Sequence, residues 1–145
     1  MFGTLSQETE VNVPASKAWA LYGSLELGKV VAGKIFEAVD VVEGAGGTGL
    51  GFKYYTEKFT KVDNENMIKE TEAVEGGFLD IGFSLYSVRC EIKEKPDDDM
   101  GSSCLVKCTI EYEVKDEFAA NVSLVTMDPF VALMSIANEH LMKSN

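Results

Sequence analysis

The chain has a single histidine, His140, near its C-terminal end. A histidine-dependent nucleophile pair would have to be built on that one residue. It reads as a surface side chain close to a helix C-terminus rather than a catalyst. Cysteines are few and odd in number: Cys90, Cys104 and Cys108. They match neither a zinc spacing nor a disulfide framework, which leaves buried, reduced thiols of a cytoplasmic protein. Basic residues are scarce, 13 Lys and Arg against 24 Asp and Glu, for a net charge of −11. Nucleic acid and anionic membrane need clustered cations, so neither is expected as a partner. Self-repulsion at this charge favours a monomer. No run approaches the ~18 apolar residues of a membrane span. Residues Met1 to Glu8 lack the basic-then-apolar pattern of a secretory signal.

Two further absences concern ligands. Gly44 to Gly49 is glycine-rich but lacks the Lys-Ser/Thr of a phosphate-binding loop, and no convincing helix follows. It is expected to be a tight turn between strands. Asp97-Asp98-Asp99 lacks the ligand spacing of a calcium loop and reads as a solvated hairpin tip. No metal or other cofactor is implied.

What is present is a chain of 145 residues, enough for one domain with its own core. Residues 3–13 alternate as a half-buried strand, and Pro14 then starts a helix carrying Ala18, Trp19, Leu21 and Tyr22. Gly23 breaks it, and a second short helix is expected over 25–33. Ile35 to Glu43 is the next strand. Ile81 to Lys95 and Ser103 to Val114 alternate with an apolar even face. Asp116 to Thr126 leads into an amphipathic helix that restarts at Asp128-Pro129 and repeats Phe130, Leu133, Met134, Ala137 and Leu141. The class is therefore α+β: an antiparallel sheet whose apolar face is covered by a long C-terminal helix. A sheet wrapped round one helix can enclose a cavity. Met127, Met134, Met142 and Phe130 would suit an adaptable wall, or serve as ordinary core.

The stretch richest in chemistry is 53–95. Tyr55, Glu57 and Phe59 share a face on one strand; Met67, Lys69, Thr71 and Ala73 share it on the next. The opposite face, with Lys58, Thr60, Glu70 and Glu72, is the more polar. A loop of three residues at 63–65 would set Glu57 opposite Thr71, with Lys69 its diagonal neighbour at roughly 7–8 Å. A phenol, a carboxylate and an ammonium on one inner wall make an acid–base set. A wet hairpin face, or an ion pair plugging a barrel end, would account for the same residues.

The chain resembles the plant Bet v I, or pathogenesis-related class ten, family, and within it the norcoclaurine-synthase-like branch, which also includes norbelladine synthases. The residues carrying the resemblance are Glu43 to Gly49, Tyr55-Thr56-Glu57-Lys58-Phe59 and Val74-Glu75-Gly76-Gly77-Phe78-Leu79-Asp80-Ile81-Gly82. Ser103-Cys104, Glu111 to Val114, and Ala119-Ala120-Asn121 through Asp128-Pro129-Phe130 extend it over nearly the whole chain. The resemblance implies a helix-grip fold: a curved antiparallel sheet round the long terminal helix, two short helices after the first strand, and a hydrophobic cavity. It also implies a catalytic set. Lys69 would act as acid and base at the carbonyl and iminium, Glu57 would take the proton that restores the aromatic ring, and Tyr55 would shape the entrance. Tyr86, Val88, Phe59 and Phe78 from the sheet side would line the cavity. Phe130, Leu133, Met134 and Ala137 would line it from the helix.

Two departures stand out. The family's aspartate aligns with Val88. Between Gly49 and Tyr55 the chain is about ten residues shorter than the family usually is, enough for a strand and its turn. Two functions stay open. Put first, because it needs only the fold, is a cytoplasmic carrier of small amphipathic or aromatic metabolites or hormones, linked to defence. The alternative is a condensing synthase that joins a phenethylamine such as dopamine to an aldehyde in a Pictet–Spengler reaction. Receptor-like signalling by cavity closure has only fold analogy behind it, and ribonuclease activity fits poorly with the acidity.

Overall fold

The computed structural model describes residues 1–31, 45–46, 55–97 and 100–143, and the side chains of 31, 45, 46, 55 and 56 are outside that description. Six antiparallel strands form one sheet: β1 (Phe2–Val11), β2 (Ala45–Gly46), β3 (Tyr55–Asp63), β4 (Ile68–Gly76), β5 (Phe83–Glu94) and β6 (Cys104–Val114). Their order is β1-β6-β5-β4-β3-β2, so the first strand pairs with the last and the rest follow as a meander. Two short helices, α1 (Ala15–Tyr22) and α2 (Glu26–Val31), follow β1, and α3 (Asp128–Lys143) ends the chain. This is the α+β, helix-grip arrangement expected.

Period-two alternation decides which face is inside. On β5, Tyr86, Val88, Cys90 and Ile92 are buried; on β6, so are Cys104, Val106, Cys108, Ile110, Tyr112 and Val114. They join Ala18, Leu21 and Tyr22 of α1 and Leu133, Met134, Ala137 and Leu141 of α3 in one core. The helix stripe is the expected one, except that Met142 falls off it and is 44% exposed. It therefore lines no wall. α3 packs against α1, α2 and β1, and the Tyr22 hydroxyl donates to Asn138 Oδ1 at 2.8 Å. Burial pushes the Tyr22 phenol far above its ordinary range, so it stays protonated as that donor.

Boundaries differ in small ways. Pro14 is the N-cap of α1 rather than its first residue. Helix α3 begins at Asp128 itself, with the amides of Phe130 and Val131 both donating to the Met127 carbonyl. The lead-in is a 3₁₀ segment, Asp116–Leu124, kinked at Phe118. Of the glycine-rich stretch, Ala45–Gly46 is a short strand paired with β3, not a turn; its remaining residues lie outside the described ones. So do the expected strand over 35–43, the end of the second helix, the short region before Tyr55, and Asp98 and Asp99 of the hairpin tip.

The glycines of the Glu75-to-Gly82 stretch have a backbone reason. Gly76, Gly77 and Gly82 all take positive φ, turning the chain from β4 through the 3₁₀ turn Gly77–Ile81 into β5. At Gly82 (φ 99°) an added Cβ would also lie 2.2 Å from the Phe118 ring. The Gly82 carbonyl accepts from the Lys115 amide at 2.9 Å, and Asn121 Nδ2 donates to the Ile81 carbonyl at 2.8 Å. Gly82→Ala is expected to cost about 1–3 kcal/mol. Urea unfolding should show a lower midpoint at unchanged slope; an unchanged midpoint would mean that the left-handed turn is not required.

Candidate functional site

The expected register, Glu57 opposite Thr71 with Lys69 its diagonal neighbour, is not what the hairpin makes. Asp63 pairs with Ile68, so the loop has four residues, Asn64 to Met67. The cause is local. Asp63 Oδ1 accepts from the amides of Glu65 (3.1 Å) and Asn66 (3.0 Å), and Oδ2 accepts from Asn66 Nδ2 (2.8 Å). These bonds, led by that from the Asn66 side chain, hold the Asp63 carboxyl below its usual range. Met67 then takes φ 55° to re-enter the strand. Two register shifts follow, beside Thr60 and beside Val74. Glu57 ends up opposite Ala73, and Phe59 opposite Thr71. Lys69 lies four residues along β4 from Ala73, about 14 Å at ~3.4 Å per residue.

The two groups therefore occupy opposite ends of one row on the inner face. Lys69 is 7% exposed, between Val62 on β3 and Cys90 on β5. Its ammonium has no hydrogen bond or ion pair among the described residues; it faces the Phe59 ring, 5.4 Å from Nζ to the centroid, and borders the Cys90 thiol. That excludes a plugging ion pair with Glu57, and it excludes a wet face at Lys69. Phe59 itself is 38% exposed, so the β3 side of this row is more open than the β5 side. Glu57 is half-buried. Tyr55 opens β3 opposite Gly76, with its side chain outside the described residues.

The rest of the wall comes from β5 and the turn before it. Phe78 and Tyr86 stack at 4.7 Å with 22° between their planes, and Phe83 meets Phe78 edge-on at 5.1 Å. Burial, helped by the negative charge of Glu57, pushes the Tyr86 phenol well above its ordinary range. It is a neutral phenol at any physiological pH. Val88, 8% exposed, is paired with Thr71 on β4 and Ile110 on β6. Leu133, Met134 and Ala137 are buried and Phe130 partly so, but α3 packs toward β1, at the opposite edge of the sheet from β3. They share the core, and no described contact assigns them to the Lys69 row.

Two residues of this site were not singled out from the sequence. Thr71, buried at 5% exposure, stands between Lys69 and Ala73; strand parity alone put it on that face. Cys90 is the cross-strand neighbour of Lys69, which depends on the β4–β5 register and has no sequence signal. All three thiols are free and buried, as expected, yet they are not alike. Cys90 and Cys108 sit 3.5 Å apart, sulfur to sulfur. Hydrogen bonding from Cys108, assisted by the Lys69 ammonium, lowers the Cys90 pKa; the same contact and burial raise that of Cys108. Burial pushes Cys104 up to about 11. Near pH 8, a small maleimide should therefore label Cys90 ahead of Cys104, since the thiolate is the nucleophile. Lys69→Met should slow that labelling. Peptide mapping that finds Cys104 labelled first would overturn the assignment.

The chain is similar in sequence and in fold to known proteins. A norbelladine synthase from Narcissus pseudonarcissus is 42% identical over 161 aligned positions, covering 100% of this chain and 96% of the relative. With 145 residues here, that alignment requires residues in the relative that this chain lacks. S-norcoclaurine synthase 1 from Papaver somniferum is 33% identical over 96% of this chain, which spans only 65% of that longer protein. Among solved structures, norcoclaurine synthase from Thalictrum flavum, in complex with dopamine and hydroxybenzaldehyde, superposes with a TM-score of 0.82 at 28% identity, over 100% of this chain and 89% of that one. The family model for the pathogenesis-related protein Bet v 1 family matches residues 1–144. On that match and on the helix-grip sheet described above, the chain belongs to the Bet v 1 family.

Proposed function

We propose that this protein is a condensing synthase that joins an arylethylamine to an aldehyde through an iminium and then closes the ring. The observation that carries the proposal is the buried Lys69 ammonium, without a carboxylate partner among the described residues, on the same inner row as Glu57. A carrier of small amphipathic metabolites needs only the fold and an apolar cavity, and burying that charge costs several kcal/mol. The relatives support the synthase over the defence-linked carrier put first on sequence grounds. Free thiols fit a cytoplasmic setting.

The chemistry follows the row. The amine nitrogen attacks the aldehyde carbon while Lys69 gives its proton to the carbonyl oxygen. Neutral Lys69 takes a proton from the nitrogen and returns it to the departing hydroxyl, so one water leaves and an iminium remains. The aromatic ring then attacks the iminium carbon, and Glu57 accepts the ring proton. A separation of about 14 Å between backbone positions leaves room for an aromatic amine between the two groups. A directly paired ammonium and carboxylate would have neutralised each other in that space.

The test is product formation from dopamine and 4-hydroxyphenylacetaldehyde, resolved by chiral chromatography against a protein-free control. A single enantiomer above background is the expected result. Racemic product at the background rate would sink the synthase and leave a ligand carrier.

A further inference from the structure

Thr71 stands midway along the row between Lys69 and the Glu57–Ala73 pair, with Phe59 beside it on β3 and Val88 beside it on β5. It is 5% exposed. Its main-chain carbonyl accepts from the Ser87 hydroxyl at 3.0 Å, whereas its own hydroxyl has no hydrogen-bond partner among the described residues. No side-chain oxygen of the described residues is both sealed from solvent and unsatisfied, so that hydroxyl opens onto the space in front of the sheet. The cross-strand neighbours Phe59 and Val88, and Ala73 along the strand, offer no hydrogen-bonding side chain. Water reaches that hydroxyl in the empty site, so a ligand that excludes the water must supply a hydrogen-bond partner in its place.

We propose that Thr71 reads the substrate: its hydroxyl hydrogen-bonds the phenolic hydroxyl of an arylethylamine lying between Lys69 and Glu57. The orientation rests on the synthase function, in which the carbonyl lies at Lys69 and the amine's ring at Glu57. The neutral chemistry of the contact does not. A threonine hydroxyl both donates and accepts, so it matches a phenol, which does the same. It cannot replace a carboxylate in holding an ammonium. Val88, where the family resemblance leads one to expect an aspartate, leaves Thr71 as the polar group at this level of the wall. The site is thereby selective for ring hydroxylation rather than for charge.

The test compares tyramine with phenethylamine, which lacks only the phenolic oxygen, by isothermal titration calorimetry. The unmodified protein should bind tyramine roughly tenfold more tightly, the worth of one well-made hydrogen bond. Thr71→Val, close to isosteric, should erase the preference by weakening tyramine alone. Thr71→Ser should keep it. Equal binding of the two amines by the unmodified protein, no binding of either at millimolar concentration, or equal weakening of both in Thr71→Val would overturn the proposal. Calorimetry needs no turnover, so the two claims separate. A protein with the tyramine preference but no condensation product keeps Thr71 and loses the synthase. One with product but no preference does the reverse.

Discussion

Lys69→Met is expected to abolish condensation while leaving the protein at least as stable as before. Turnover should fall about 10²–10⁴-fold, the usual worth of a positioned general acid. Stability should move the other way. Lys69 is buried, and no carboxylate among the described residues pairs with its charge. Methionine fills a similar volume without the cost of desolvating an ion, so a gain on the order of 1–2 kcal/mol is expected. For a chain of this size that raises the melting temperature by roughly 2–8 °C. A site that becomes more stable when its key residue is removed is one where the residue is kept for function. Unchanged turnover in a folded Lys69→Met protein would overturn the mechanism. Lost turnover with a large fall in melting temperature would show instead that the ammonium is structural.

Glu57→Gln should separate the two chemical stages. The amide cannot accept the ring proton, so closed product should drop by about 10²-fold or more. Iminium formation, assigned to Lys69 at the other end of the row, should continue. Trapping with borohydride reduces the iminium to a stable secondary amine, which mass spectrometry would detect in excess over the unmodified enzyme. Closed product at the original rate would remove Glu57 from the mechanism. Loss of the trapped species together with the product would mean that Glu57 acts earlier, for instance in binding the amine.

Much of the fold was legible because it follows from repeat periods. Alternation along β5 and β6 named the buried face, and the helical repeat of Leu133, Met134, Ala137 and Leu141 named the buried stripe. Backbone geometry allows few other ways to hide those side chains at once. The same parity put Lys69, Thr71 and Ala73 on one inner face, and that too holds. Even the three glycines of the turn into β5 are a local matter of positive φ.

The relation between the strands was not legible. The loop drawn in by the Asp63 carboxylate, Asn64 to Met67 in place of 63–65, would by itself carry Glu57 from Thr71 to Val74, and the bulge beside Thr60 brings it back by one residue to Ala73. Hydrophobic pattern cannot see such steps where one strand of the pair is half-exposed. Composition and repeat period set the class of fold, the inner face and the kinds of chemical group on it. The pairing of strand with strand set Lys69 and Glu57 apart, put Cys90 beside the lysine and left Thr71 between them. Side-chain direction is set within a strand, but distance across a sheet is set by hydrogen bonds that residues far apart in the chain make with one another.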